Sequence, residues 1–257
     1  MSDDRAAAER HRRILEWARG AGSVSVDDLA ARQNDTPQTI RKDLNLLAGR
    51  SMLSRVHGGA VVTSGVDNIA YAERRSVATG AKAAIGAAAA GLIPNGASLF
   101  VNIGTTTEAV AEQLSTHRDL MVISNNLNVV DLLDGHDSID VVVVGGQVRR
   151  GDRAVVGALA MDFIRAFKVD FALIGTSAID PDGSLLDFAV DEVQVTQTIV
   201  KNARRVILVA DSSKIGRPAP VRIGHLGMVD YFVTDRLLDP ALRRQCEEQG
   251  VTLVETA

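Results

Sequence analysis

Cys246 is the only cysteine in the 257 residues, so neither an intrachain disulfide nor a Cys-rich metal site is possible. It lies near the end of the helical pattern Ala241-Leu242-Arg243-Arg244-Gln245-Cys246 and reads as an inert helical residue, with no pKa-lowering surroundings in view. Histidine is too scattered to serve a metal, since His117, His136 and His225 lack ligand spacing. A G-x-S-x-G elbow is missing, which leaves hydrolase chemistry without a nucleophile. Long apolar runs are missing too. Ala83–Ile93 is too short and too rich in Ala and Gly to span a bilayer, and the N-terminus is polar, with no signal-peptide core. No internal repeat of fixed period is visible. The expectation is a soluble cytoplasmic protein with no metal and no cofactor.

What remains is a chain long enough for two domains, with 46% hydrophobic residues to fill their cores. The net charge of −4 hides a split. Residues 1–60 hold ten Lys/Arg against eight Asp/Glu, with His11 and His57 in reserve, while residues 61–257 hold eighteen against twenty-four. A mildly basic head on an acidic body suits a nucleic-acid-binding module that does not bind indiscriminately.

The most informative stretch is Thr36–Gly59, TPQTIRKDLNLLAGRSMLSRVHGG. Thr36 is a good N-cap and Pro37 sits at the first helical position, where its missing N–H costs nothing. Ile40, Leu44 and Leu47 form one apolar face. Gln38, Thr39, Arg41, Lys42 and Asn45 form the other, with side chains suited to phosphates and base edges. Met52–His57 then alternates apolar and polar residues into Gly58-Gly59, which predicts a hairpin returning through Ala60-Val61-Val62. Upstream, residues 6–19 predict a helix with Ile14, Leu15, Trp17 and Ala18 turned inward. Ser25-Val26-Asp27-Asp28 has the form of a capping box opening a helix through Gln33. This series predicts a winged helix-turn-helix over residues 1–62, in which Arg41, Lys42 and Arg55 contact phosphates or base edges. Gln38, Thr39 and Asn45 read bases, and His57 with the two glycines shapes the wing.

Residues 63–80 are polar without strong periodicity and read as a linker. From 81 to 257 strands alternate with helices. Predicted strands are Ser98–Asn102, Met121–Ile123, Ile139–Val144, Asp170–Ile174, Val206–Ala210, Tyr231–Thr234 and Thr252–Val254. The run Ile139–Val144 reads as a strand covered on both faces. This rhythm predicts an α/β, doubly wound, Rossmann-like sheet. Five polar turns then fall at the strands' C-terminal ends, where such sheets bind ligands. Asn102–Glu108 offers Gly104, the hydroxyls of Thr105 and Thr106, and a helix N-terminus for a phosphate. Ser124-Asn125-Asn126, Gly145–Arg149, Gly175-Thr176-Ser177 and Asp211–Lys214 complete the set, with Arg149 and Lys214 available for charge. Asp191 and Glu192 stand ready as acids, either for isomerase chemistry or simply to complement a helix dipole.

These motifs carry a resemblance. Val24–Val62 resembles the winged helix of the DeoR-type regulators, and residues 76–235 resemble that family's sugar-phosphate sensor domain. The quoted matches are LFVNIGTTTEAVAEQL, SNNLNVV, GGQVRRGDRAVVG, LDFAVDEV and DSSKIGR. The resemblance implies a transcriptional repressor that leaves its operator DNA when a phosphorylated sugar or polyol, glycerol 3-phosphate among them, fills the sensor, and because one small winged helix has limited specificity a homo-oligomer is expected. It also implies a sensor with the fold of ribose-5-phosphate isomerase, stripped of catalytic use. By position it assigns Thr105, Thr106, Asn125, Gly146, Arg149, Glu192 and Lys214 to the effector, with Lys82 beside them. The chain departs from the family pattern twice: Asn102 stands where an Asp is usual, and Thr196 where most members carry Lys. An isomerase-like enzyme with a DNA-binding head and an activator are the alternative readings.

Overall fold

The computed structural model describes residues 10–18, 23–49, 53–56, 58–62 and 71–256. Two units emerge, 1–69 and 70–257. In the first, helix α1 (residues 10–18) places Ile14 and Ala18 in a core completed by α2 (Val26–Gln33) and α3 (Pro37–Gly49). Both caps form as the sequence requires: Asp28 N–H donates to Ser25 Oγ at 3.0 Å, and Thr39 N–H donates to Thr36 Oγ1 at 3.1 Å. The wing comprises β1 (Ser23–Ser25), β2 (Leu53–Val56) and β3 (Gly59–Val62), antiparallel in the order β1-β3-β2. β1 escapes a reading based on periodicity because three residues cannot display a period. Trp17, expected in the core, packs only at its margin, with the Arg32 guanidinium over its ring at 5.5 Å.

The second unit begins inside the expected linker. Tyr71–Ser76 forms α4 and Thr79–Ala90 forms α5, so only residues 63–70 of that linker lie outside the described residues. α4 belongs to this unit because Tyr71 Oη donates to Glu108 at 2.7 Å and Lys82 Nζ donates to the Arg74 carbonyl. Seven strands follow: β4 (Ser98–Val101), β5 (Leu120–Ser124), β6 (Ile139–Val143), β9 (Val169–Ile174), β12 (Ala203–Val209), β14 (Tyr231–Thr234) and β15 (Thr252–Glu255). All pair in parallel, in the order β15-β14-β12-β9-β4-β5-β6. The order reverses between β4 and β9, which makes that gap the topological switch point.

One face of the sheet is covered by α5, α6 (Thr105–Leu114) and α7 (Leu127–Leu133). A Cβ on Gly86 of α5 would stand 2.4 Å from the Ala109 carbonyl of α6, so glycine is what lets those helices meet. The other face is covered by α8 (Ala158–Arg165), α9 (Val190–Lys201) and α10 (Pro240–Glu248), with Cys246 buried and its thiol pushed up by that burial. Ile139–Val143 is not an enclosed strand, as expected, but the sheet's edge, with Asp140 exposed and Val143 43% exposed. An apolar run does not reveal whether another strand lies beyond it. Two short additions interrupt the alternation. They are the hairpin β7 (Gln147–Arg149) and β8 (Ala154–Val156), and a small sheet of β10 (Ala178–Ile179), β11 (Ser184–Asp187) and β13 (Val221–His225). Among the described residues, no helix is long and apolar enough to cross a membrane.

Candidate functional site

In α3 the amphipathic arithmetic holds residue by residue. Ile40, Leu44 and Leu47 are buried, while Gln38, Arg41, Lys42 and Asn45 are exposed and Thr39 is half-buried. Asp43, on neither list, is buried and accepts from Arg10 Nε at 2.5 Å, with His11 Nε2 at 2.9 Å. Burial raises its pKa, but the bonds from Arg10 and His11 prevail and hold it below the usual range. It thereby fastens α1 across α3 and leaves the outer face of α3 free. Arg55 lies on β2, and His57 lies outside the described residues.

At the switch point, β4 ends and the chain turns through Gly104, whose φ of +143° no side chain tolerates well, directly into α6. Thr107 Oγ1 lies 2.8 Å from the Asn102 carbonyl and 2.7 Å from that of Gly104, fixing the turn from within. Gly104, Thr105, Thr106 and Thr107, at the N-terminus of α6 where backbone N–H groups lack helical partners, then line a chamber of about 40 Å³. The turn after β9 supplies Gly175, Thr176 and Ser177 to the same chamber, and the turn after β12 supplies Lys214. Among the described residues no carboxylate lies within ion-pair distance of the Lys214 ammonium. Burial, and the charges of Arg217, Lys82 and Arg74, outweigh Asp211 and push its pKa down to about 8.

The opposite wall is acidic and tied together by one arginine. Arg149 Nε donates to Asp152 Oδ1 at 3.0 Å, while Nη2 reaches Asp152 Oδ2 and Glu192 Oε2, each at 2.6 Å. Its Nη1 stands 3.7 Å from Asp191, which is half-buried in the first turn of α9. Burial disfavours the Arg149 charge, but its carboxylate partners reverse this and hold it above its ordinary value. Burial and the neighbouring Asp187 push Glu192 up to about 7 against the pull of Arg149. Asp187, raised by its own burial, accepts from Ser177 Oγ at 2.9 Å and from the Phe188 N–H at 2.7 Å.

Thus Gly104, Thr105, Thr106, Glu192 and Lys214 line one chamber, and Arg149 joins them through Glu192. The other three assigned residues stand apart from it. Asn125 Nδ2 donates to the Val155 carbonyl at 3.2 Å, so it binds the β7–β8 hairpin. Gly146, at φ +153°, is demanded by packing: a Cβ there would lie 3.0 Å from Val155 Cγ1. Lys82 lines a separate groove of about 430 Å³ with Tyr71, Glu108 and Asn128. Missing from the sequence reading are Arg74, Asp152 and Asp187, all on the chamber wall. Asp187 lies within the quoted LDFAVDEV and Asp152 within GGQVRRGDRAVVG, while Arg74 lay hidden in the expected linker. The two departures, Asn102 and Thr196, are hydrogen-bonded to each other. Among the described residues no three His, Cys, Asp or Glu side chains converge as metal ligands.

A wing beside an exposed basic helix, and a parallel sheet with a chamber at its switch point, define a helix-turn-helix protein with a sensor-type second domain. Residues 10–66 match the DeoR-like helix-turn-helix domain and residues 77–236 the DeoR C terminal sensor domain; the chain belongs to the DeoR family. It is 44% identical to the glycerol-3-phosphate regulon repressor of Haemophilus influenzae, over 88% of each chain. To the protein of the same name from Escherichia coli K12 it is 42% identical, over 88% of this chain and 90% of that one. Among solved structures, ribose 5-phosphate isomerase A of Methanocaldococcus jannaschii covers 52% of this chain and 53% of its own, at 15% identity and a TM-score of 0.39. The strand order, not that likeness, defines the fold.

Proposed function

We propose that this protein is a DNA-binding transcriptional repressor of carbohydrate or glycerol metabolism genes, released from its operator by a phosphorylated sugar or polyol. Lys214 carries the sensor half of this reading. A half-buried ammonium without a carboxylate partner, lining one chamber with the N-terminus of α6, is an arrangement that a phosphate ester completes. Arg41 and Lys42 on the outer face of α3 serve the DNA half, with Gln38, Thr39 and Asn45 placed to read base edges. One small winged helix reads a short site, so two or more copies act together on repeated half-sites. The effector shifts the population of head arrangements without touching DNA. The names of the relatives, both glycerol-3-phosphate regulon repressors, favour glycerol 3-phosphate as the first effector to try.

The test is binding to the DNA upstream of the protein's own gene, at physiological salt and against random competitor, because much of the affinity is sequence-independent. Specific binding released by glycerol 3-phosphate or another phosphate ester is the expected result. Specific binding indifferent to every ester would overturn the effector reading, and no specific binding would overturn the repressor.

A further inference from the structure

Three residues beyond Lys214, the chain places a second cation that the effector motifs leave without a role. Gly216 takes a left-handed φ of +70° and donates its N–H to the Ile179 carbonyl at 2.8 Å, which ties the loop to β10. Arg217 follows, half-buried, with its guanidinium 5.2 Å from the centre of the Phe188 ring. Phe188 is the immediate neighbour of Asp187 on the chamber wall. The stack therefore joins the two chain segments that bring Lys214 and Asp187 to the site.

Among the described residues, Arg217 has neither an ion pair nor a hydrogen bond. The acids whose charge it feels are Asp187 and Asp211, and neither forms an ion pair with it: Asp187 accepts from Ser177 and the Phe188 N–H, and Asp211 accepts from the Ser213 N–H and hydroxyl on Oδ1 alone, its Oδ2 being buried without a hydrogen-bond partner. A guanidinium is planar, always charged, and presents parallel donors that match two oxygens of one phosphoryl group. Stacking on an aromatic face holds the plane while leaving its edge donors open. Its charge, with those of Lys214 and Arg74, bears on the same small region. Arg74 is answered by Asp152 at 3.9 Å, whereas among the described residues Lys214 and Arg217 form no ion pair, and two such cations are best met by a dianion.

We propose that Arg217, held on Phe188, is a direct phosphate-binding arm of the sensor, selecting doubly charged phosphate monoesters over their unphosphorylated parents. The inference rests on the phosphate-effector reading and names a further residue that executes it.

Calorimetric titration of the full-length protein with glycerol 3-phosphate, ribose 5-phosphate and glycerol tests it, using Arg217→Met, Arg217→Lys and, as a control on the reading itself, Lys214→Met. Arg217→Met keeps an apolar stem over Phe188 and is expected to weaken ester binding about tenfold or more. Arg217→Lys is expected to recover part of the loss, because it restores charge without the fork. Arg217→Met binding as tightly as wild type, while Lys214→Met has lost the ester, would overturn the role of Arg217 and leave the phosphate reading standing. A loss in Arg217→Met that Arg217→Lys restores in full would overturn the bidentate contact. Wild-type protein that binds neither ester, or binds glycerol equally well, would overturn both.

Discussion

Asn102 donates its Nδ2–H to Thr196 Oγ1 across 2.8 Å, and the Thr196 hydroxyl in turn donates to the Glu192 carbonyl at 3.0 Å. A carbonyl only accepts, so the direction of the whole chain is fixed and Asn102 Oδ1 is left buried without a partner. These are the two positions at which the resemblance leads one to expect an acid and a base, and they form a single contact. A neutral pair stands where the pattern would place an acid against a base. The exchange leaves the charge around the chamber unchanged, so the departures say less about effector choice than they would as independent changes. Asn102→Asp alone buries a carboxylate with no cation and is expected to cost about 3 kcal/mol in urea unfolding. Adding Thr196→Lys is expected to recover most of that loss. Additive costs in the double variant would show that the two sites act independently.

Much of this architecture is legible in the sequence, for identifiable reasons. α2 and α7 announce themselves because caps and apolar periodicity agree, α9 by its periodicity without a cap, and the five turns follow from strands ending in Gly, Asn and Ser. The β7–β8 hairpin and the β10–β11–β13 sheet are hidden in segments too short to show a period, yet they place Arg149, Asp152 and Asp187. α4 stays hidden for a different reason. Six residues have little helical tendency of their own, and tertiary bonds from Glu108 and Lys82 hold them. Asp43 could not be found by polarity alone, since a buried aspartate on a basic helix makes sense only once Arg10 and His11 are beside it.

The two wing glycines make opposite demands. Gly58, at φ +79°, has nothing within 4 Å of its missing Cβ, so Gly58→Ala is expected to cost about 1 kcal/mol and Gly58→Asn less. A Cβ on Gly59 would lie 2.1 Å from the Val24 carbonyl, inside the β1–β3 pairing. Gly59→Ala is expected to separate β1 from β3 and abolish operator binding, while the sensor still binds its effector. Anisotropy with labelled operator, alongside effector calorimetry, separates the two. A Gly59→Ala protein with intact DNA affinity would show that the wing does not require this close approach.

Asp43 gives the head an acid limit. Its folded pKa lies below its ordinary 3.8. Its stabilising effect is therefore fully present above the unfolded value and is lost as pH falls through the folded one. Asp43→Asn is expected to destabilise the head by about 1–3 kcal/mol at pH 7, through weaker bonds to Arg10 and His11, and the difference from wild type is expected to shrink as the pH falls below 3.8 through the folded pKa. Trp17, the only tryptophan, lies in this unit, so its fluorescence follows head unfolding separately from the sensor. A stability difference that stays constant from pH 7 to pH 3 would rule out an ionised Asp43 as the fastening group.

The chamber's own ionisations define a window for effector binding. Burial, with Asp187 beside it, brings Glu192 to about 7. Burial and three neighbouring cations bring Lys214 to about 8. Raising the pH from 6 to 9 therefore adds a negative charge on one wall and removes a positive charge from the other, and both changes oppose a phosphate. Arg149, held above its ordinary value by its carboxylate partners, remains charged throughout and does not offset the trend. The ester itself gains its second charge near pH 6, which weakens binding below that value. Affinity for the effector is expected to peak between about pH 6 and 7 and to fall through pH 8. Lys214→Arg keeps its charge over the whole range and is expected to remove the upper limb, and Glu192→Gln the part near pH 7. Dissociation constants measured at half-unit intervals would decide it, and a profile flat from pH 6.5 to 9 would separate both groups from the phosphate.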